Sequence, residues 1–324
     1  MMIRPKVSVL MPAFNAALFI EDAINSVLNQ SFTDYELIIV DNCSTDNSEE
    51  IIAKYLSDKR IKYYKNDTNI GVVGNFNKCF SYAQGDYLKI LCADDKFHPQ
   101  LLEKFVAAMD QHPNVAIVAS YTQEFGLSTQ VLKAPISHLI NGRQLTYEIL
   151  NNWNYFGHPS NVMFRKSGLQ VGGFRKEYLW MSDWEMWLRI LSTGDAYFIP
   201  EVLSYTRFHE KQVTSVIVKN FSHYFEWYAL TKNIQQRNEL KLDFSVFDIN
   251  KLVKEKAIIC SLAIPWALFR GIRSEKNRTI AWKAIKIVIK ERVIFDSLAL
   301  MGKRVLNRIT SNHQTNKEGK QALV

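Results

Sequence analysis

Long apolar runs are missing from this chain. The most apolar late stretch, residues 257–269, carries Pro265 and falls short of the roughly 20 residues that a bilayer-spanning helix needs. The N-terminus lacks a basic-then-apolar export signal, because Pro12 and Asn15 interrupt the short apolar run over residues 7–14. Cysteine is scarce as well. Cys43, Cys79, Cys92 and Cys260 are scattered and form no C-x-x-C pair, so neither a zinc site nor a disulfide framework is indicated. Reduced thiols in a cytosolic setting are expected. Glycine-rich phosphate loops are also absent: no G-x-G-x-x-G follows the first strand pattern, and no G-x-x-x-x-G-K-[ST] occurs. That excludes the ordinary dinucleotide-binding and P-loop enzymes. Phosphate, if bound, must be neutralised by a metal and basic side chains. The chain shows no internal repeat and no low-complexity stretch.

What is present is a globular composition with uneven charge. Of 324 residues, 47% are hydrophobic and 22% charged, enough apolar matter for a real core. Residues 216–324 hold 20 Lys+Arg against 9 Asp+Glu, whereas residues 1–215 hold 20 against 23. All the excess positive charge therefore lies in the last third. Such a split points to a polyanion, either nucleic acid or an anionic membrane.

Strand and helix signals alternate through the first part. Residues 7–11, 35–41, 61–65, 86–92 and 115–120 read as strands. Residues 18–30, 49–56, 71–83 and 99–111 read as helices, the third entered through a loop. The runs YELIIVD and VAIVAS are continuous rather than alternating, as buried parallel strands are. This order predicts an α/β fold: a Rossmann-like, mostly parallel sheet with helices on both faces. Beyond Ser120 the pattern becomes irregular, with a strand over 162–165, a helix over 183–191 and strand and turn over 198–208. Residues 216–324 read as a basic, mainly helical region ending in a dozen polar residues expected to be disordered. Two domains follow, residues 1–215 and 216–324.

Ligands of open parallel sheets bind beyond the carboxyl ends of the strands. Two acid clusters fall there, Asp41-Asn42 and Asp94-Asp95. Paired carboxylates at a strand end can hold Mg²⁺ or Mn²⁺ shared with substrate phosphates. The blander readings are a helix cap for Asp94-Asp95 and a side-chain-bonded turn for Asp41-Asn42-Cys43-Ser44.

Taken together, five segments resemble family 2 inverting glycosyltransferases, which have the GT-A fold. They are VSVLMPAFNAALFIEDAINSVLNQSFTDYELIIVDNCSTDNS, NIGVVGNFNKCFSYAQGDYLKILCADD, VMFRKSGLQVGGF, SDWEMWLRI and YTRFHEKQVTS. In order, they cover roughly residues 5–216. The resemblance implies that Pro12, Phe14 and Asn15 flank the nucleobase and ribose and that Asp41 and Asn42 read the base. Asp94 and Asp95 would serve metal and ribose, and Arg207 and His209 the diphosphate, with His209 also a metal ligand. Asp183 would be the general base. An Asn42 amide accepting N3–H of uracil or thymine makes uridine or thymidine donors the expectation. Two departures stand out: Asn42 replaces a second acid, and Cys92 replaces the first acid of the usual D-x-D-D. Asp183 is equally a helix cap before Trp184, and Glu185 points about 200° further round that helix. Of Trp180, Trp184 and Trp187, only Trp180 is expected near an acceptor sugar.

The resemblance implies a Mg²⁺- or Mn²⁺-dependent enzyme that moves a sugar from a nucleotide diphosphate sugar to a glycan or lipid-linked acceptor. Bacterial surface polysaccharide is the expected setting. A nucleotidyltransferase, or a nucleic-acid-binding protein using the basic third, are the alternatives, although no nucleic-acid motif is present and no nucleic acid is expected. Over residues 280–293, Lys283, Lys286 and Lys290 fall on one helical face, and Trp282, Ile285, Val288, Ile289 and Val293 largely on the other. Arg270, Arg273, Lys276 and Arg278 precede this segment, and Lys303, Arg304 and Arg308 follow it. A cytoplasmic location with peripheral contact at the inner membrane face is the expectation; the other reading packs this helix on the catalytic domain.

Overall fold

The computed structural model describes residues 4–136, 138–210, 212, 221–271 and 274–303. Arg273, Arg304, Arg308 and the polar C-terminal dozen lie outside the described residues. The chain forms two compact units, one comprising residues up to 215 together with Glu239–Leu242, the other comprising the rest.

In the first unit the alternation expected from sequence folds into one sheet. β1 (Val7–Ala13), β2 (Tyr35–Asp41), β3 (Ile61–Lys65) and β4 (Tyr87–Ile90) pair in parallel in the order β3-β2-β1-β4. Their apolar side chains alternate between two covered faces, which is why the runs are continuous. On one face Val7, Val9, Met11, Leu37 and Ile39 pack against α1 (Ile20–Leu28) and α4 (Leu101–Gln111). α1 presents Ile20, Ala23, Ile24 and Val27, an i, i+3, i+4, i+7 stripe. α2 (Ser48–Ala53) and α3 (Val72–Tyr82) complete the early crossovers. Gly71 caps α3 at φ +79°, a backbone state that glycine enters without strain.

The sheet continues β9-β6-β10-β5. β9 (Met163–Arg165) runs antiparallel to both β4 and β6. β6 (Val115–Gly126) extends six residues past the expected end at Ser120. Its second half buries Thr122 and Glu124, which breaks the apolar run that sequence reading depends on. β10 (Asp195–Phe208) lies parallel to β6 and takes β5 (Lys96–Phe97) on its other side. The two-residue β7 (Val131–Leu132) and three-residue β8 (His138–Ile140) are too short to signal themselves. α5 (Gly142–Asn151) was likewise not expected; the Asn141 side chain caps it by accepting from the amides of Arg143 and Gln144. α6 (Ser182–Leu191) is buried on almost every side.

The second unit is helical among its described residues: α7 (Ser222–Arg237), α8 (Ile249–Cys260), α9 (Ala263–Phe269), α10 (Glu275–Lys290) and a helix over residues 294–303. α10 corrects the expected separation into a basic and an apolar face. Ile287 and Val288 pack inward with Ala281 and Ala284, while Trp282 and Ile289 share the exposed face with the lysines. No helix of the described residues is long and apolar enough to cross a membrane.

Candidate active site

The carboxyl ends of β1, β2 and β4 lie side by side, because Ala13 registers with Asp41 and Leu10 with Ile90. The loops leaving β1 and β2 are bonded to each other. Asn15 Oδ1 accepts from the Thr45 amide at 2.8 Å, and the Asn15 amide donates to Ser44 Oγ at 2.9 Å. The amides of Ala16 and Ala17 donate to Ser48 Oγ and Asp46 Oδ2. Asn15 and Cys43 both hold positive φ, +48° and +63°, uncommon for non-glycine residues and frequent at ligand sites. Phe14 stands exposed on the β1 loop and Pro12 is half-buried.

Asp41 and Asn42 are both bonded to neighbouring residues of the same loops. Asp41 is buried; its Oδ1 accepts from the Ser44 amide at 3.0 Å and its Oδ2 from Tyr63 Oη at 3.2 Å. This is the bonded turn that was the blander reading. The Asn42 amide is spent within the chain. Its Nδ2 donates to Asn69 Oδ1 at 2.8 Å and the Gly71 carbonyl at 3.4 Å, and its Oδ1 accepts from Asn66 Nδ2 and the Ile70 amide. It organises residues 66–71.

After β4 the chain turns through Cys92-Ala93-Asp94-Asp95 into β5, with the Asp95 amide donating to the Cys92 carbonyl at 3.0 Å. α4 begins only at Leu101, capped at Gln100, so the acid pair is no helix cap. The two carboxylates differ. Asp95 is buried and anchored at both oxygens: its Oδ1 accepts from the Arg207 amide at 2.8 Å and its Oδ2 from Ser160 Oγ at 2.5 Å. Burial, then the charge of Asp94, raises its carboxyl well above the usual range. Asp94 is half-buried, and its Oδ2 meets His209 Nε2 at 3.0 Å. Arg207 Nε donates to the Asp94 carbonyl at 3.0 Å, and its Nη2 reaches Asp22 at 2.7 Å. The guanidinium is held between the rings of Phe19 and Phe125, at 4.6 and 4.4 Å.

The donor atoms of Cys92, Asp94 and Asp95 lie within 4.8 Å of one another, close enough to converge on one ion. Burial, then Asp95 and Asp94, pushes the Cys92 thiol well up. Asp94 and Asp95 each have an oxygen to offer, and His209 stands beside Asp94 with Nδ1 buried and unpartnered among the described residues. Carboxylate oxygen donors suit Mg²⁺ or Mn²⁺.

Asp183 is the second residue of α6 rather than its cap, and it is half-buried. Its Oδ1 accepts from the Trp184 amide at 2.8 Å. Burial pushes its carboxyl up to about 7 against that bond. Its charge also contributes to raising the Cys92 thiol, which puts it within electrostatic reach of the acid motif. Glu185 is bound bidentately by Arg189, both contacts at 2.7 Å, and is unavailable as a base. Trp184 is buried, whereas Trp180 is half-buried and packs edge-on to the exposed Trp153 at 6.2 Å.

Sequence reasoning missed the support beneath the acids. Ser160, in the turn Pro159–Asn161, donates to Asp95 and accepts from the Cys92 amide at 2.9 Å. Its carbonyl accepts from Lys89, a fully buried ammonium between Phe97 and Phe105. Burial lowers the lysine's pKa well below its ordinary value. The one visible signal was a lysine inside the apolar run YLKI.

A family model described as glycosyl transferase family 2 matches residues 8–173. The putative colanic acid biosynthesis glycosyl transferase WcaA of Escherichia coli is 29% identical over 270 residues, covering 81% of this chain and 94% of that protein. The putative teichuronic acid biosynthesis glycosyltransferase TuaG of Bacillus subtilis is 31% identical over 217 residues, covering 65% and 82%. Among solved structures, S. aureus TarS 1-349 in complex with UDP-GlcNAc superposes with a TM-score of 0.69 at 18% identity, covering 88% of this chain and 81% of that one. At that identity the likeness bears on the fold, which is the mixed α/β arrangement expected from sequence.

Proposed function

The chain belongs to glycosyl transferase family 2 and is a glycosyltransferase; from that premise we propose that it transfers a sugar from a nucleotide diphosphate donor by a metal-dependent, inverting displacement. The observation that carries the mechanism is Asp183, a carboxyl at the start of α6 that burial raises to about 7 and whose charge reaches Cys92 of the strand-end motif. A general base works best when its pKa lies near the working pH. Asp183 takes the proton of the acceptor hydroxyl as that oxygen attacks the anomeric carbon opposite the leaving diphosphate. A single displacement needs no protein nucleophile and inverts the anomeric centre.

Asp94, Asp95 and His209 would hold Mg²⁺ or Mn²⁺, which would supply Lewis-acid stabilisation to the departing diphosphate. Asp95 fixes the Arg207 strand end against the acid motif. Arg207, aligned by Phe19, Phe125 and Asp22, adds positive charge on the leaving-group side. Asn15, Pro12 and Phe14 border the nucleoside, while Asp41 and Asn42 shape its loops from behind. The same premise sets the nucleotidyltransferase reading aside. Relatives named for colanic and teichuronic acid biosynthesis support a surface polysaccharide or lipid-linked glycan as product. We place the reaction in the cytoplasm, with the basic second unit in peripheral contact with the membrane.

A panel of nucleotide sugars, screened for thermal stabilisation with and without Mn²⁺, tests the donor reading through RT ln(1 + [L]/Kd). Proton NMR of the product's anomeric coupling tests inversion. Stabilisation indifferent to the ion, or a retained anomer, overturns the corresponding part.

A further inference from the structure

Residues 263–303 depart from the usual partition of apolar groups inward and charge outward. α10 turns Trp282, Lys286 and Ile289 to the outside at i, i+4 and i+7, one line along the helix. Trp282 and Ile289 are each 58% exposed, and the Lys286 ammonium lies 5.6 Å from the Trp282 ring centroid. The helix over 294–303 repeats the arrangement: Val293 and Ser297 face inward, while Phe295, 87% exposed, and Leu298 face out. Single exposed apolar residues are ordinary, but grouped ones mark a contact surface. Residues 270–303 also carry nine Lys+Arg against three Asp+Glu.

Two occupants fit an exposed apolar face, and charge separates them. A second copy of this chain would bring two such basic stretches together, which opposes association. An anionic bilayer complements the charge, and its headgroup boundary accepts Trp and Phe alongside basic side chains. Because none of the described helices can span a bilayer, the contact stays at the surface. We infer that the outward side of α10, with the start of the helix over 294–303, docks on anionic lipid. Trp282, Ile289 and Phe295 enter the headgroup boundary, and Lys286 and Lys290 meet lipid phosphates, whereas the Lys283 ammonium lies over the buried Phe225 ring at 4.7 Å and takes no part. This inference rests on the peripheral membrane contact proposed above and assigns it to one face.

The test is co-sedimentation of the full chain with vesicles of phosphatidylcholine alone or mixed with phosphatidylglycerol. The wild type pellets with the anionic vesicles only, and less at high salt. Each outward lysine changed to Gln (Lys286→Gln, Lys290→Gln) weakens partition about fivefold. Trp282→Ser combined with Ile289→Ser and Phe295→Ser abolishes it, with circular dichroism and melting unchanged because all three are outward. A wild type that stays in the supernatant overturns the inference and the membrane contact together. A triple variant that still pellets overturns the face and leaves the membrane contact standing. If instead the triple variant loses only a dimer seen by light scattering, the occupant is a second copy and the inference is wrong.

Discussion

Asp183→Asn separates chemistry from stability in opposite directions. The change keeps the side chain's shape and its bond to the Trp184 amide but removes the proton acceptor. Loss of a general base lowers turnover by about 10²–10⁴-fold, while donor binding, made by other residues, persists. Stability moves the other way. Burial raises the folded-state carboxyl from 3.8 to about 7, so above pH 7 the wild type folds against an unfavourable charged form that asparagine lacks. Three pH units correspond to about 4 kcal/mol, and the half-buried setting brings this nearer 2 kcal/mol. The sign follows from linkage: the unfolded carboxyl ionises near 3.8 and the folded one near 7. The wild type therefore loses stability as pH rises between those values, and the loss is complete above 7. Scanning fluorimetry should show Asp183→Asn melting roughly 4–8 °C higher at alkaline pH, with the gap closing toward pH 4. Wild-type kcat/KM should rise with pH through about 7 as the carboxylate forms, and the variant's residual rate should be flat. Near-normal turnover in the variant removes Asp183 as the base. Equal melting at every pH means the carboxyl is not desolvated.

Asp94→Ala should weaken nucleotide diphosphate binding at least tenfold in Mn²⁺ and hardly at all in EDTA; calorimetry showing equal losses in both would detach Asp94 from the ion. Ser160→Ala takes a hydroxyl from the buried Asp95 and should cost about 1–3 kcal/mol of stability, read by chemical denaturation, with a loss in kcat larger than in KM as the Arg207 strand end loosens. Asn42→Ala should raise KM for every nucleotide sugar alike, since the amide is bonded internally; a changed order of nucleobases would show that it does read the base.

The first half of the sheet was legible because β1, β2 and β4 are mostly apolar runs with one polar residue inside each (Ser8, Glu36 and Lys89), and α1, α3 and α4 each bury one face. Past Ser120 that code fails. β6 continues with buried Thr122 and Glu124, and β5 forms only because β10 arrives more than 100 residues later to pair with it. The site divides the same way. Asp94, Arg207 and His209 could be nominated from short motifs, and folding brings them into direct contact. Ser160 and Lys89 could not, since each acts through partners about 70 residues away. The raised pKa of Asp183 is a property of its surroundings and has no local signature.

The bonds between the loops after β1 and β2 bear on how a donor is captured. Fixing the backbone of one residue costs about 1–2 kcal/mol, so a cradle of five loose residues would take about 5–10 kcal/mol from the affinity of whatever ordered it. Here Asn15, Ser44, Asp46 and Ser48 hold those loops to one another in the free protein, and that entropy is lost at folding rather than at encounter. Donor association should therefore be near rigid-body docking. Its heat-capacity change should match the surface covered and no more, and its on-rate should show no conformational step.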